Sequence, residues 1–190
     1  MEIILATEIW GRTPHIDALA GRLRPHADRV TVADPFDGRD PHFATEEQAY
    51  AAYLDHGGLE PYARRVTDLV REAARPVLLI GFSAGAGAAW AAACTPGVPL
   101  RRACCFYGSA IRTMADRAPL APVDLIFPDR EPHFDVDALA AALRAKPLVT
   151  CRRADAGHGF MNPLSENYDE AAGRRWTAWL VRLAEASSRA

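Results

Sequence analysis

The stretch Val77-Leu78-Leu79-Ile80-Gly81-Phe82-Ser83-Ala84-Gly85-Ala86-Gly87 decides how the rest of the chain is read. An apolar run enters Gly-x-Ser-x-Gly, and an alanine-rich segment follows as far as Cys94. That order reads as strand, sharp turn and helix, with the Ser83 hydroxyl exposed above a parallel sheet. Glycine suits positions 81 and 85 because side chains there would collide with neighbouring elements in so tight a turn. The N–H of Ala84 opens the helix, where it can stabilise an oxyanion formed when Ser83 attacks a carbonyl. A dinucleotide fingerprint starting at Gly85 and Gly87 would need glycine at position 90, which is Trp90. The Gly-Lys-Ser/Thr of a phosphate loop is absent. The plain alternative is a tight turn carrying an inert serine.

Outward from this stretch, strands and helices alternate. Glu2–Thr7 reads as a buried strand running into Glu8-Ile9-Trp10-Gly11. Thr13-Pro14 reads as a helix start, with Thr13 as N-cap and Ile16, Leu19, Ala20 and Leu23 at helical spacing. Arg29–Ala33 is a second strand, and Asp34–Thr45, rich in Pro, Asp and Gly, is a loop. Thr45-Glu46-Glu47-Gln48 resembles a capping box, and Glu60–Ala74 reads as a further helix. Downstream of the serine, strands are expected at Arg102–Tyr107, Pro122–Phe127 and Leu148–Arg152. Helices are expected at Asp135–Leu143 and Asn167–Ala184. The alternation predicts an α/β fold: a mostly parallel sheet of about six or seven strands, helices on both faces, and functional groups at the carboxyl ends of the strands. With 190 residues and no linker or repeat, residues 1–190 read as one domain with no room for a large lid.

Composition excludes several classes. Net charge is −2, and no basic block points to nucleic acid. No apolar run reaches membrane length, and no signal peptide is visible. Cys94, Cys104, Cys105 and Cys151 form no C-x-x-C pair and read as reduced thiols, which fits a cytoplasmic protein. No histidine pair has metal-ligand spacing, so neither metal nor organic cofactor is implied. Nothing chooses between monomer and homodimer.

The expected strand ends carry Glu8, Ser83, the run Pro128-Asp129-Arg130-Glu131, and Ala156-Gly157-His158-Gly159-Phe160. Serine, acid and histidine thus follow in the chain order of an α/β-hydrolase. A serine hydroxyl needs a base within hydrogen-bond reach, and the base needs a carboxylate to fix its tautomer. His15, His26, His42 and His56 precede the serine, and His133 falls beside the acid, which leaves His158 as the base. Asp124 lies at the wrong end of its strand. Glu131 has room to turn towards the histidine loop and is favoured, with Asp129 as the alternative.

Taken together, these landmarks resemble the dienelactone hydrolase family from about Ile3 to Leu183. The resemblance is carried by Ala6-Thr7-Glu8-Ile9-Trp10-Gly11, Gly81-Phe82-Ser83-Ala84-Gly85, Phe106-Tyr107-Gly108 and Ala156-Gly157-His158-Gly159-Phe160. It implies Ser83 as nucleophile, His158 as base, and the backbone N–H groups of Ile9 and Ala84 as oxyanion donors. It puts the acid on Glu131, three residues beyond Pro128, which stands where the family has glycine. It makes Glu8 a carboxylate close to the nucleophile, with Trp10 and Tyr107 beside the site. The founding members carry cysteine where this chain has Ser83, and they hold an anionic substrate with arginines. Here Met161-Asn162-Pro163 follows Phe160 without an arginine; Arg39, in the loop after the second strand, is a partial substitute, with a solvated loop arginine as the plainer alternative. Phe36, Phe43, Trp10, Tyr107 and Met161 are candidate pocket walls.

The expected function is cleavage of a small ester, lactone or thioester through an acyl-enzyme on Ser83. The alternatives are acyl transfer by the same residues, and a non-catalytic binding or regulatory protein that keeps the fold.

Overall fold

The computed structural model describes residues 1–39, 41–132 and 134–188. Six strands form one sheet: β1 (Glu2–Ala6), β2 (Arg29–Ala33), β3 (Val77–Phe82), β4 (Leu100–Phe106), β5 (Val123–Phe127) and β6 (Val149–Arg153). Their spatial order is β2-β1-β3-β4-β5-β6, and every neighbouring pair is parallel. The chain moves outward from β1 to β2, then returns to build the rest of the sheet from β3. The order therefore reverses between β1 and β3, where Ala6 lies opposite Gly81. A crevice opens at such a switch point, because the connections leaving the two strands diverge to opposite faces.

The helices are α1 (Pro14–Leu23), α2 (Glu46–Asp55), α3 (Leu59–Glu72), α4 (Ala84–Ala93), α5 (Val136–Arg144) and α6 (Glu170–Ser188), with short 3-10 turns at Arg24–His26 and Ser109–Met114. Side-chain alternation along the strands divides the core into two layers. Ile4, Val77, Leu79 and Cys105 pack with α2, α3, α4 and α5 on one face. Ile3, Leu5, Leu78, Ile80 and Phe106 pack with α1 and α6 on the other. Burial of β3 on both faces explains its unbroken apolar run; each such Val, Leu or Ile side chain contributes roughly 1.5–3 kcal/mol. Every residue of α4 is buried. Its small side chains allow close approach to the sheet, and Trp90 fills the remaining space with its indole N–H on the Met114 carbonyl at 3.2 Å.

Local chemistry sets the element ends, and it corrects several expectations. Thr13 is the N-cap of α1, but its side chain does not cap the helix; its Oγ1 pairs with His15 Nδ1 at 2.9 Å. The Thr45 side chain accepts from Gln48 N–H at 3.3 Å as a capping box requires, whereas Gln48 reaches back to Ala44 N–H at 3.0 Å, one residue further than that motif. The last helix starts at Glu170, later than periodicity implies, because Asp169 Oδ1 accepts from Ala172 N–H at 2.9 Å and acts as its cap. Asp124, 1% exposed within β5, is held by Arg102 at 2.5 Å and Arg152 at 3.1 Å, away from the carboxyl edge.

Candidate functional site

The turn after β3 is tight enough to exclude any side chain but hydrogen at two positions. A Cβ on Gly81 would lie 2.3 Å from the Gly85 carbonyl oxygen, and one on Gly85 would lie 2.1 Å from the Ala6 carbonyl oxygen. This second approach locks the start of α4 against the end of β1. Between the two glycines, Ser83 takes φ 49° and ψ −109°, a backbone state that L-residues seldom adopt. Its N–H is held by the Phe106 carbonyl at 3.0 Å. The half-buried Ser83 side chain is thereby lifted above the sheet.

His158 meets it from the loop after β6. Ser83 Oγ is 3.1 Å from His158 Nε2, and His158 Nδ1 is 2.6 Å from Glu131 Oε1. A carboxylate only accepts, so the Nδ1 proton faces Glu131 and Nε2 is left to accept from the serine hydroxyl. Burial disfavours the charged imidazole. The hydrogen bond and charge of Glu131, with Glu8 and Glu46 adding to it, outweigh that effect and raise the His158 pKa above its ordinary 6.5. Of the two acids left open by the sequence, Glu131 is the one at Nδ1, with its side chain 3% exposed. Asp129 is exposed, and its N–H ties the acid loop to the histidine loop through Ala156 O at 2.9 Å. Arg153 supports the same loop by donating to Pro128 O at 2.7 Å and Asp129 O at 3.3 Å. His133 lies outside the described residues.

Glu8 leaves the adjacent strand β1 and is 5% exposed. The Tyr107 hydroxyl donates to its Oε1 at 2.7 Å, and the Asn162 side-chain amide donates to its Oε2. Both oxygens are therefore taken by groups other than Ser83. Burial pushes the Glu8 carboxyl pKa up, against these two donors and the positive end of His158. Tyr107, at φ 39°, also sets its ring 5.2 Å from the His158 imidazole, tilted by 55°. Burial and the neighbouring Glu8 keep its phenol protonated.

Ile9 follows Glu8 in a turn closed by Gly11 N–H on Glu8 O at 3.1 Å. Ala84 is the first residue of α4, a position whose N–H has no acceptor within the helix. Ala84 follows Ser83 at the exit of β3, and Ile9 lies three residues beyond the end of the neighbouring strand β1.

Two residues of this cluster escaped the sequence reading. Asn162, fully buried, also accepts from Leu164 N–H at 2.9 Å and so knits the histidine loop together. A lone polar residue just beyond Phe160 was the available signal. Ser109 places Oγ 3.4 Å from His158 Nδ1, beside the shorter Glu131 bond; its place just past the β4 exit pointed to it. Of the candidate walls, Tyr107 and Phe36 are core residues, while Trp10, Phe43 and Met161 are half-buried. Arg39 is exposed. A cavity of about 590 Å³ lies elsewhere, between α3 and the end of α4, against Arg64, Arg71 and Arg117. A smaller one of about 280 Å³ borders Asp129, Glu131 and Arg153 on the acid loop.

The sequence profile of the dienelactone hydrolase family matches residues 2–186. The chain belongs to the dienelactone hydrolase family. It is 35% identical over 174 residues to the uncharacterized protein YczH of Bacillus subtilis (strain 168), covering 89% of this chain and 85% of that one. In fold it is similar to the dienelactone hydrolase-like promiscuous phosphotriesterase P91 from metagenomic libraries, with TM-score 0.74, 20% identity, and coverage of 97% and 85% of the two chains. It is also similar to the dienelactone hydrolase of Anabaena variabilis ATCC 29413, with TM-score 0.64, 17% identity, and coverage of 95% and 83%. As a member of the dienelactone hydrolase family, the chain is a hydrolase of the α/β type. Among its described residues no helix is long and apolar enough to cross a membrane.

Proposed function

We propose that the protein cleaves a small carboxylic ester, lactone or thioester through an acyl-enzyme on Ser83. The observation that carries this reading is the continuous relay from Ser83 Oγ through His158 to Glu131, with links of 3.1 and 2.6 Å. His158 Nε2 takes the hydroxyl proton as Oγ bonds to the acyl carbon. Glu131 holds the imidazole and stabilises its charged form. The Ile9 and Ala84 N–H groups receive the oxyanion; such a donor is typically worth ~10²–10³ in rate. His158 then gives its proton to the leaving group, and water, deprotonated by the same nitrogen, releases the acid. The four cysteines are all free, which supports a cytoplasmic setting.

The test is labelling of the folded protein with a fluorophosphonate and mass mapping of the adduct, followed by turnover of ester, lactone and thioester panels. The expected adduct sits on Ser83 and is lost in Ser83→Ala and His158→Ala. A correctly folded protein that takes no label would overturn the reading in favour of ligand binding without chemistry. Labelling with products formed on added alcohols or amines, and none on water, would assign acyl transfer.

A further inference from the structure

Glu8 is a buried carboxylate whose two hydrogen-bond donors, Tyr107 and Asn162, are both neutral. Among the described residues, the cation that bears on it is the imidazolium of His158. Glu131 occupies the other side of the same ring. Glu46, exposed at the first position of α2, acts through space on both Glu8 and His158. Glu131 thus bonds the imidazole directly, and Glu8 and Glu46 bear on it through space. Three guanidinium groups on segments that follow β1 and β4 or end β6 are engaged elsewhere. Arg153 is bound to the acid-loop carbonyls and to Asp137 at 2.5 Å. Arg12 is paired with Asp17 at 2.9 Å. Arg112 donates to Ser109 O at 2.8 Å, with its head 5.6 Å from the Phe134 ring.

We propose that the site accepts neutral or cationic substrates and discriminates against any that carry an anionic group beside the scissile carbonyl. The reason is electrostatic. A substrate anion placed over Ser83 would meet the fields of Glu8 and Glu131 where little water screens them, and Arg12, Arg112 and Arg153 are already engaged. A cation or a neutral group meets no such repulsion, and the exposed Glu46, which bears on His158 through space, attracts the cation. The proposal rests on the hydrolase reading and names the substrate charge that reading leaves open.

The experiment uses three fluorophosphonates of matched shape, ending in a tert-butyl, a trimethylammonium or a carboxylate group. Second-order rates of Ser83 labelling are measured on the full chain at low and high salt, for the parent, Glu46→Gln and Arg112→Gln. The tert-butyl and trimethylammonium probes should label efficiently, and the carboxylate probe about tenfold more slowly or worse. At a pH well above the His158 midpoint, Glu46→Gln should narrow that gap about two- to threefold while leaving the tert-butyl rate unchanged, and salt should narrow the share due to this exposed charge. Equal rates for the carboxylate and tert-butyl probes would overturn charge selection and leave the serine hydrolase standing. So would a gap that neither salt nor Glu46→Gln moves, since shape would then be its cause. A carboxylate probe that reacts fastest, and loses its advantage in Arg112→Gln, would overturn the proposal and make Arg112 an anion subsite. No labelling by any probe would overturn both readings.

Discussion

The Asn162 side-chain amide donates a hydrogen bond to Glu8 Oε2, joining residues 154 positions apart. One end belongs to the loop that carries His158, and the other precedes the turn that holds Ile9. The bond therefore fixes the distance between the proposed base and one proposed oxyanion donor. Truncation by Asn162→Ala leaves a buried carboxylate oxygen without its donor and should cost about 1–3 kcal/mol. Asn162→Asp should cost more at pH 8, because two carboxylates then share one buried site. The pKa of the shared site is raised in the folded state, so the penalty is full above that pKa and shrinks as pH falls through it. Urea unfolding at pH 8 and pH 5 should show the Asn162→Asp deficit shrinking towards that of Asn162→Ala.

Glu131 and Asp129 are separated by one residue yet should behave very differently. Glu131→Gln removes the acceptor that orients His158, and should lower kcat/KM a hundredfold or more with little change in the fold. Asp129→Asn alters an exposed side chain and should change kcat/KM by no more than about threefold. Steady-state kinetics on one activated ester separates the two.

The pH profile follows from the same ring. Glu131, Glu8 and Glu46 raise the His158 pKa above 6.5 in spite of its burial. A base works only when neutral, so kcat/KM should fall on the acid side with a midpoint above that value. Neutralising an acid removes part of the support for the imidazolium. The midpoint should therefore move to lower pH in Glu46→Gln, and further in the residual activity of Glu131→Gln. A midpoint that rises in either variant would contradict the assignment.

Gly85→Ala should be among the most damaging single-atom-scale changes in the chain. Its Cβ would lie 2.1 Å from the Ala6 carbonyl oxygen, and both partners are backbone. Neither can rotate away, so α4 must separate from β1 at a cost of about 3 kcal/mol or more. Gly21→Ala, where nothing lies within 4 Å, is the matched control and should be neutral or mildly stabilising in thermal unfolding.

Much of this architecture was legible in local pattern. The apolar run of β3 needs burial on both faces, and only a sheet covered by helices supplies that. Cap residues were less reliable guides. Thr13 has the right identity, yet its hydroxyl is drawn to His15, and Asp169 rather than the preceding periodicity starts α6. Competing side-chain partners decide such ends, and a linear pattern does not weigh them. Boundaries of α3 and β6 shift by a residue or two for similar reasons.

The sequence by itself determined the alternation of strands and helices, the serine turn with its obligatory glycines, and the order of serine, acid and histidine. Those features rest on steric and periodic rules that act within a few residues. Only the tertiary structure decided which carboxylate meets His158, that Glu8 is engaged by Tyr107 and Asn162 instead of Ser83, and that Ser109 stands beside the imidazole. Those contacts join loops from four different strand ends, and their geometry is set by how the strands align at one edge of the sheet. No spacing along the chain encodes that alignment directly.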